Sequence, residues 1–226
     1  MAIFAHPDDA EHNVAASAAK WAREGREVFY VLCTDGGKGS EDPRMTPALV
    51  AKIREAEQRE AAKVLGVREV TCLGLEDGHL TPSLEFRRAL VRVIRRVRPD
   101  VVCCPDPTVR FSRGRRLNHP DHIAVGEAAL AAVYPSARDR LMFPELLAEG
   151  LEPHKVREVL AWGSTEPDLC IDVSDTIELK IAALHCHRSQ RAPSPIDAYL
   201  RERARQVGEP HGCPYGEAFT YVRLRD

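Results

Sequence analysis

Residues 5–13 read AHPDDAEHN, placing His6, Asp8 and Asp9 within four positions of one another, with Glu11 and His12 close behind. A second cluster, NHPDH, contributes His119, Asp121 and His122. Carboxylates in such a setting have two uses. Asp8 or Asp9 suits a helix cap, where a side-chain oxygen accepts the free N–H groups of a first turn. Alternatively, carboxylate and imidazole together surround a cation. Two histidines and one carboxylate from separate loops form the donor set of a zinc site with a fourth position left for water, the catalytic rather than the structural pattern. Zinc suits these ligands, and Fe²⁺ or Mn²⁺ is compatible with the same set. Bound zinc lowers the pKa of water from 15.7 towards about 7 and polarises an amide carbonyl. A neighbouring carboxylate can then take the proton, and a protonated imidazole can return one to a leaving amine.

That chemistry requires the two clusters to meet, and the elements around them predict that they do. AIFAHPDD reads as a short buried strand entering a loop, and AEHNVAASAAKWAREGRE as a helix stopping at Gly25. An apolar strand from Val28 to Cys33 follows. LVAKIREAEQREAAKVLG is then a helix with Gly66 as its C-cap. EVTCLGL is a third strand, LEFRRALVRVIRRVRPD an amphipathic helix ended before Pro99, and DVVCCPDP a fourth strand. Continuous apolar strands alternating with helices predict an α/β fold, a Rossmann-like three-layer sandwich with a mainly parallel central sheet. Ligands in such sheets gather beyond the carboxyl ends of the strands. HPDD follows the first strand, TDGG the second, EDG the third, and PDPTVRFSRGRRLNHPDH the fourth, so all four share one edge. Further along, VREVLAWG, DLCIDV and GEAFTYVRL read as strands and TIELKIAALHCHRSQ as a helix. With no repeat and no linker-like stretch, one domain over residues 1–226 is expected.

The 226 residues carry 32 basic and 34 acidic side chains, a formal charge of −2. Nothing global points to nucleic acid or an anionic membrane, so the expected partner is a small molecule, with self-association left open. No apolar run spans a bilayer and no leader pattern is present, which predicts a cytoplasmic protein. The seven cysteines are odd in number, scattered and without a CxxC pair, against both a disulfide framework and a thiolate zinc site.

Pairing of AHPDDAE with HPDH after the fourth strand resembles the PIG-L/LmbE-like family of metal-dependent N-acetylglucosamine deacetylases. TDGGKGS, IREAEQREAAKVLG, KIAALHCHRSQ and YGEAF extend the likeness over essentially the whole chain. The resemblance implies that His6, Asp9 and His122 bind the metal and that Asp8 is the general base acting on water. It implies that His119 stabilises the oxyanion or protonates the leaving amine, and that Asp121 orients His119. The implied substrate is an N-acetylated amino sugar or its conjugate. Two departures stand out: only five residues precede His6, and the turn after HPDD, often Gly-Gly-Thr in the family, is here Ala15, Ala16 and Ser17.

Arg54 corresponds to a substrate-contacting arginine of relatives, and its competing role is a solvated helical cation. In VRFSRGRR, Arg110, Arg113, Arg115 and Arg116 crowd a loop running into HPDH. Arg113, Arg115 and Arg116 there could hold a substrate carboxylate or phosphate by bidentate hydrogen bonds, or form a salt-paired surface loop. His187, Ser189 and Gln190 match a histidine-any-Ser-Gln sequence of the family, with a helix-ending role as the alternative. A non-catalytic metal- or sugar-binding protein of the same fold is the competing function, and retention of Asp8 and His119 weighs against it. A nucleotide-binding Rossmann protein would need GxGxxG after the first strand, which is absent.

Overall fold

The structure, a computed structural model, describes residues 1–112, 116–190 and 195–225. The chain opens with β1 (Ala2–Phe4), α1 (Asp9–Asn13), α2 (Ala15–Arg23), β2 (Phe29–Thr34) and α3 (Pro47–Leu65). It continues through β3 (Glu69–Leu75), α4 (Leu84–Val97), β4 (Val101–Pro105), a hairpin of β5 (Phe111–Ser112) and β6 (Arg116–Leu117), and α5 (Pro120–Ala131). A short α6 (Glu145–Ala148), β7 (Glu158–Trp162), β8 (Leu169–Asp172), α7 (Ile177–Leu184), α8 (Ile196–Gly208) and β9 (Gly216–Arg223) complete it. Seven strands form one sheet in the order β3-β2-β1-β4-β7-β9-β8, parallel except for β9, which runs antiparallel to both neighbours.

The apolar strands of the sequence are explained by burial on both faces. Successive side chains point to opposite sides of a strand. Ile3, Val31, Val102 and Cys104 accordingly join one core with Phe86, Leu90 and Ile94 of α4 and Val125 of α5. Ala2, Phe4, Tyr30, Leu32 and Cys103 join the other, under α2 and α3. The adjacent Cys103 and Cys104 thus serve opposite layers, and all seven cysteines are free thiols. Helix ends follow local chemistry. Thr46 caps α3 before Pro47, and Gly66 closes it at φ 75°. Ser83 caps α4 by accepting the Phe86 N–H.

Three features differ from the sequence expectation. The first helix is two helices, broken at Val14 (φ −128°, ψ 0°). The Asn13 side chain donates to Asp9 O, and the buried Glu217 carboxylate accepts the Ala16 and Ser17 N–H groups. An N-terminal helix end is thereby satisfied by a residue 200 positions away. The sequence pattern does not predict helix α8, and on either side of the arginine loop β5 and β6 pair antiparallel, Phe111 opposite Leu117. Among the described residues, no helix is long and apolar enough to cross a membrane.

Candidate metal centre

Beyond Phe4 the chain turns over the carboxyl edge of the sheet, and the His6 N–H donates to Asp9 Oδ2 at 2.7 Å, closing the turn. His6 Nδ1 then lies 3.4 Å from Asp9 Oδ2 and 3.3 Å from His122 Nε2. His122 Nε2 is 3.0 Å from Asp9 Oδ1. Two imidazole nitrogens and a carboxylate therefore converge on one focus, brought by the turn after β1 and by the first turn of α5.

The opposite nitrogen of His6 is equally constrained. Its Nε2 sits 3.1 Å from Asp121 Oδ2 and 3.2 Å from Asp77 Oδ1. Asp121 is fully buried and also accepts the Gly78 N–H at 2.7 Å and the Leu80 N–H at 3.2 Å. A carboxylate behind an imidazole fixes ring and tautomer, so Nδ1 is the nitrogen turned to the focus. Burial opposes a charge on His6, yet hydrogen bonds to Asp121, Asp77 and Asp9 outweigh it and push its pKa up to about 11. Burial would likewise raise Asp9, but His122 and His6 hold it well below the carboxylate range. The cluster concentrates negative charge around a point that calls for a cation, and its donor set fits a divalent ion.

Asp8 stands next to this focus in an unusual backbone state. Its φ of 91° is left-handed, a conformation that costs a non-glycine residue about 1–2 kcal/mol. Its side chain makes no helix-capping bond. Its N–H instead donates to Gln58 Oε1 at 3.0 Å, and its Oδ2 lies 3.6 Å from Arg54 Nη2. Burial and the neighbouring Asp9 charge raise its pKa to about 7, against the pull of Arg54 and His187. This is the range in which a carboxylate can accept a proton at neutral pH.

His119 is exposed and is the N-cap residue of α5, its Nδ1 accepting the Asp121 N–H at 3.2 Å. That bond leaves Nε2 to carry the ring proton. Its ring meets His6 edge-on with centroids 4.6 Å apart, and burial together with the nearby His6 lowers its pKa. The Asp121 carboxylate turns to His6, Gly78 and Leu80, and its link to His119 runs through the backbone. Arg54 is neither solvated nor at the surface: 5 % exposed, it donates to Gly36 O at 2.9 Å and to Pro7 O at 2.7 Å. Gly36, at φ 63°, is a position where a Cβ would come within 2.7 Å of Pro7 Cδ. The TDGG and HPDD loops approach so closely only because that side chain is missing.

Arg113 and Arg115 lie outside the described residues. Arg116, on β6, borders a cavity of about 290 Å³ whose wall also includes His12, Asn13, Trp162, Tyr199 and Arg203. His12 is one helical turn from Asp9 on α1, but none of His6, Asp8, Asp9, His119 and His122 lines this cavity. His187, Ser189 and Gln190 sit behind the site: His187 pairs with Glu11 at 3.1 Å, Ser189 bonds Glu57, and Gln190 donates to Gly39 O. Sequence reasoning missed Asp77, Gln58, Glu11 and the buried Lys180–Glu217 pair. Asp77 had a signal, as one of the two acidic residues of EDG at the same strand edge. Gln58 and Glu11 lie on helices, where an amide or acidic side chain reads as solvated, and nothing within KIAALHCHRSQ or YGEAF tells that Lys180 and Glu217 pair.

Comparison with known proteins identifies the family. The family model for GlcNAc-PI de-N-acetylase (PIG-L) matches residues 1–133. A diacetylchitobiose deacetylase of Thermococcus kodakarensis is 31% identical over 98% of this chain and 82% of its own length. Among solved structures, the N,N'-diacetylchitobiose deacetylase from Pyrococcus horikoshii superposes with a TM-score of 0.89 at 31% identity, covering 98% of this chain and 84% of that one. The hydratase GalB of Pseudomonas putida shares the fold at 21% identity, with a TM-score of 0.81 and coverage of 100% and 96%. The fold alone therefore does not select the reaction. With a family model matched over more than half of its length and a relative aligned along nearly all of it, the chain belongs to the PIG-L (GlcNAc-PI de-N-acetylase) family.

Proposed function

We propose that the protein is a metal-dependent deacetylase that hydrolyses the N-acetyl amide of an N-acetylglucosamine-type sugar or sugar conjugate. The observation that carries this reading is the convergence of His6, Asp9 and His122 with Asp8 held beside them in a strained backbone state. The named activities of the relatives support the same substrate class. Zinc is the ion we propose, and Fe²⁺ or Mn²⁺ suits the same ligands. When bound, the ion supplies Lewis acidity that polarises the amide carbonyl and acidifies water. Asp8 accepts a proton from the attacking water and passes it to the departing amine as the C–N bond breaks, giving acetate and the free amino sugar, while the His119 Nε2–H donates a hydrogen bond to the developing oxyanion. Asp121 and Asp77 hold the His6 ring in register. The odd, scattered set of free cysteines supports a cytoplasmic setting.

The test is acetate release from N-acetylglucosamine conjugates by metal-loaded protein. Asp8→Asn is expected to keep its metal and lose roughly 10²-fold in kcat, the scale of a general base. His122→Ala is expected to lose metal. Absence of acetate release by the wild type, or full metal content in His122→Ala, would refute the assignment.

A further inference from the structure

The peptide unit joining Pro7 to Asp8 is gripped at both of its polar atoms by one helix. Its carbonyl, Pro7 O, accepts Arg54 Nη2 at 2.7 Å. Its amide, Asp8 N–H, donates to Gln58 Oε1 at 3.0 Å. Arg54 and Gln58 lie four residues apart on α3, hence on the same face one turn from each other. Both are buried, Gln58 completely. Fixing the two ends of a peptide plane leaves little freedom in the φ of the following residue, and that residue is Asp8, at φ 91°.

Behind Gln58 stands a second buried layer. Its Nε2 donates to both oxygens of Glu11, at 3.2 and 3.3 Å, and Glu11 Oε2 also receives His187 Nε2 at 3.1 Å. Glu11 is 0% and His187 2% exposed. The Gln58 amide has an N–H donor on one side and a carboxylate on the other, so its orientation is unambiguous: oxygen to Asp8, nitrogen to Glu11. Burying a carboxylate–imidazole pair costs several kcal/mol of desolvation and is weak evidence for stability in itself. Its geometric consequence here is a Gln58 amide that cannot rotate.

We infer that Gln58, backed by Glu11 and His187 and acting with Arg54 across the same peptide, is a positioning residue that clamps Asp8 in its left-handed conformation. The clamp points the carboxylate of Asp8 beside the metal focus while Asp9 remains a ligand. The inference rests on the deacetylase reading of the site, and it reaches four side chains, three of them distant in sequence from Asp8 and none of them a metal ligand.

Metal-loaded wild type, Gln58→Leu and Gln58→Asn would be compared by metal content, steady-state deacetylation and hydrogen exchange of the Asp8 amide. Gln58→Asn serves as the second variant because it keeps a polar group in the pocket while withdrawing it by one methylene. A displaced general base is expected to lower kcat roughly ten- to a hundredfold, with KM and metal content unchanged. Loss of the amide's acceptor is expected to speed Asp8 exchange roughly tenfold or more, while exchange within β2 stays as in the wild type. A merely structural role would lower thermal stability and leave kcat per folded, metal-loaded molecule as it was. That result, or an unchanged Asp8 exchange rate in whichever variant folds, would overturn the clamp. Should the wild type itself release no acetate, the deacetylase reading fails, and the exchange measurement still decides whether Gln58 holds Asp8.

Discussion

Replacing Asp8 by glycine should give a more stable protein than replacing it by alanine, a reversal of the usual order. At an ordinary position alanine wins by about 0.4–1 kcal/mol because it restricts the unfolded chain. At φ 91° the comparison changes, since a Cβ in the left-handed region costs about 1–2 kcal/mol and glycine has none. The two terms oppose each other, and their difference favours glycine by on the order of 1 kcal/mol. For a chain of this size that is roughly 2–4 °C in Tm. Both variants lack the carboxylate, so they share the loss of charge beside Asp9 and the loss of activity; only the backbone term separates them. Paired thermal melts of the two variants, metal-loaded and in the same buffer, read it directly. Asparagine, which tolerates the left-handed region, should retain more stability than alanine. An alanine variant as stable as the glycine variant would show that the backbone at residue 8 is not strained, and the argument for a clamped general base would lose its foundation.

Asp121→Asn should weaken metal affinity by roughly ten- to a hundredfold, the scale for a carboxylate behind a ligating histidine, although Asp121 is not itself a proposed ligand. Competition with a chromophoric chelator measures it, and unchanged affinity would remove Asp121 from behind His6. Lys180→Met leaves the Glu217 carboxylate, paired at 2.6 Å and buried, without its cation, and should cost about 3–5 kcal/mol by chemical denaturation. The Lys180→Met/Glu217→Gln double variant should recover part of that loss. Arg116→Gln should raise KM for an anionic N-acetylglucosamine conjugate more than for a neutral one. The difference should shrink as salt rises, because exposed charges are screened over about 10 Å at 0.1 M. Equal effects on the two substrates would make the hairpin structural.

The α/β alternation, the shared strand edge and both His-Pro-Asp clusters were legible in the sequence because each depends on short-range facts. An apolar run of five or six residues ended by turn chemistry is a buried strand whatever surrounds it, and the residues after it fall at the strand's carboxyl end. Thr46, Ser83 and Gly66 delimit their helices for equally local reasons. Other features were decided only by tertiary structure. Val14 breaks a stretch that reads as one helix because Glu217, from the last strand, satisfies a new helix start. Arg54, Gln58 and Glu11 look like members of solvated helix faces until the TDGG and HPDD loops and the end of α7 fold over them and supply carbonyl, amide and imidazole partners. The family resemblance pairs Asp121 with its sequence neighbour His119, yet its carboxylate turns to His6, 115 residues away. Residue type and spacing determine which groups reach an edge, since strand direction and helix period are set by the local backbone. Which of those groups face one another depends on the order and register of strands far apart in the chain, and that order is settled only when both faces of the sheet are buried at once.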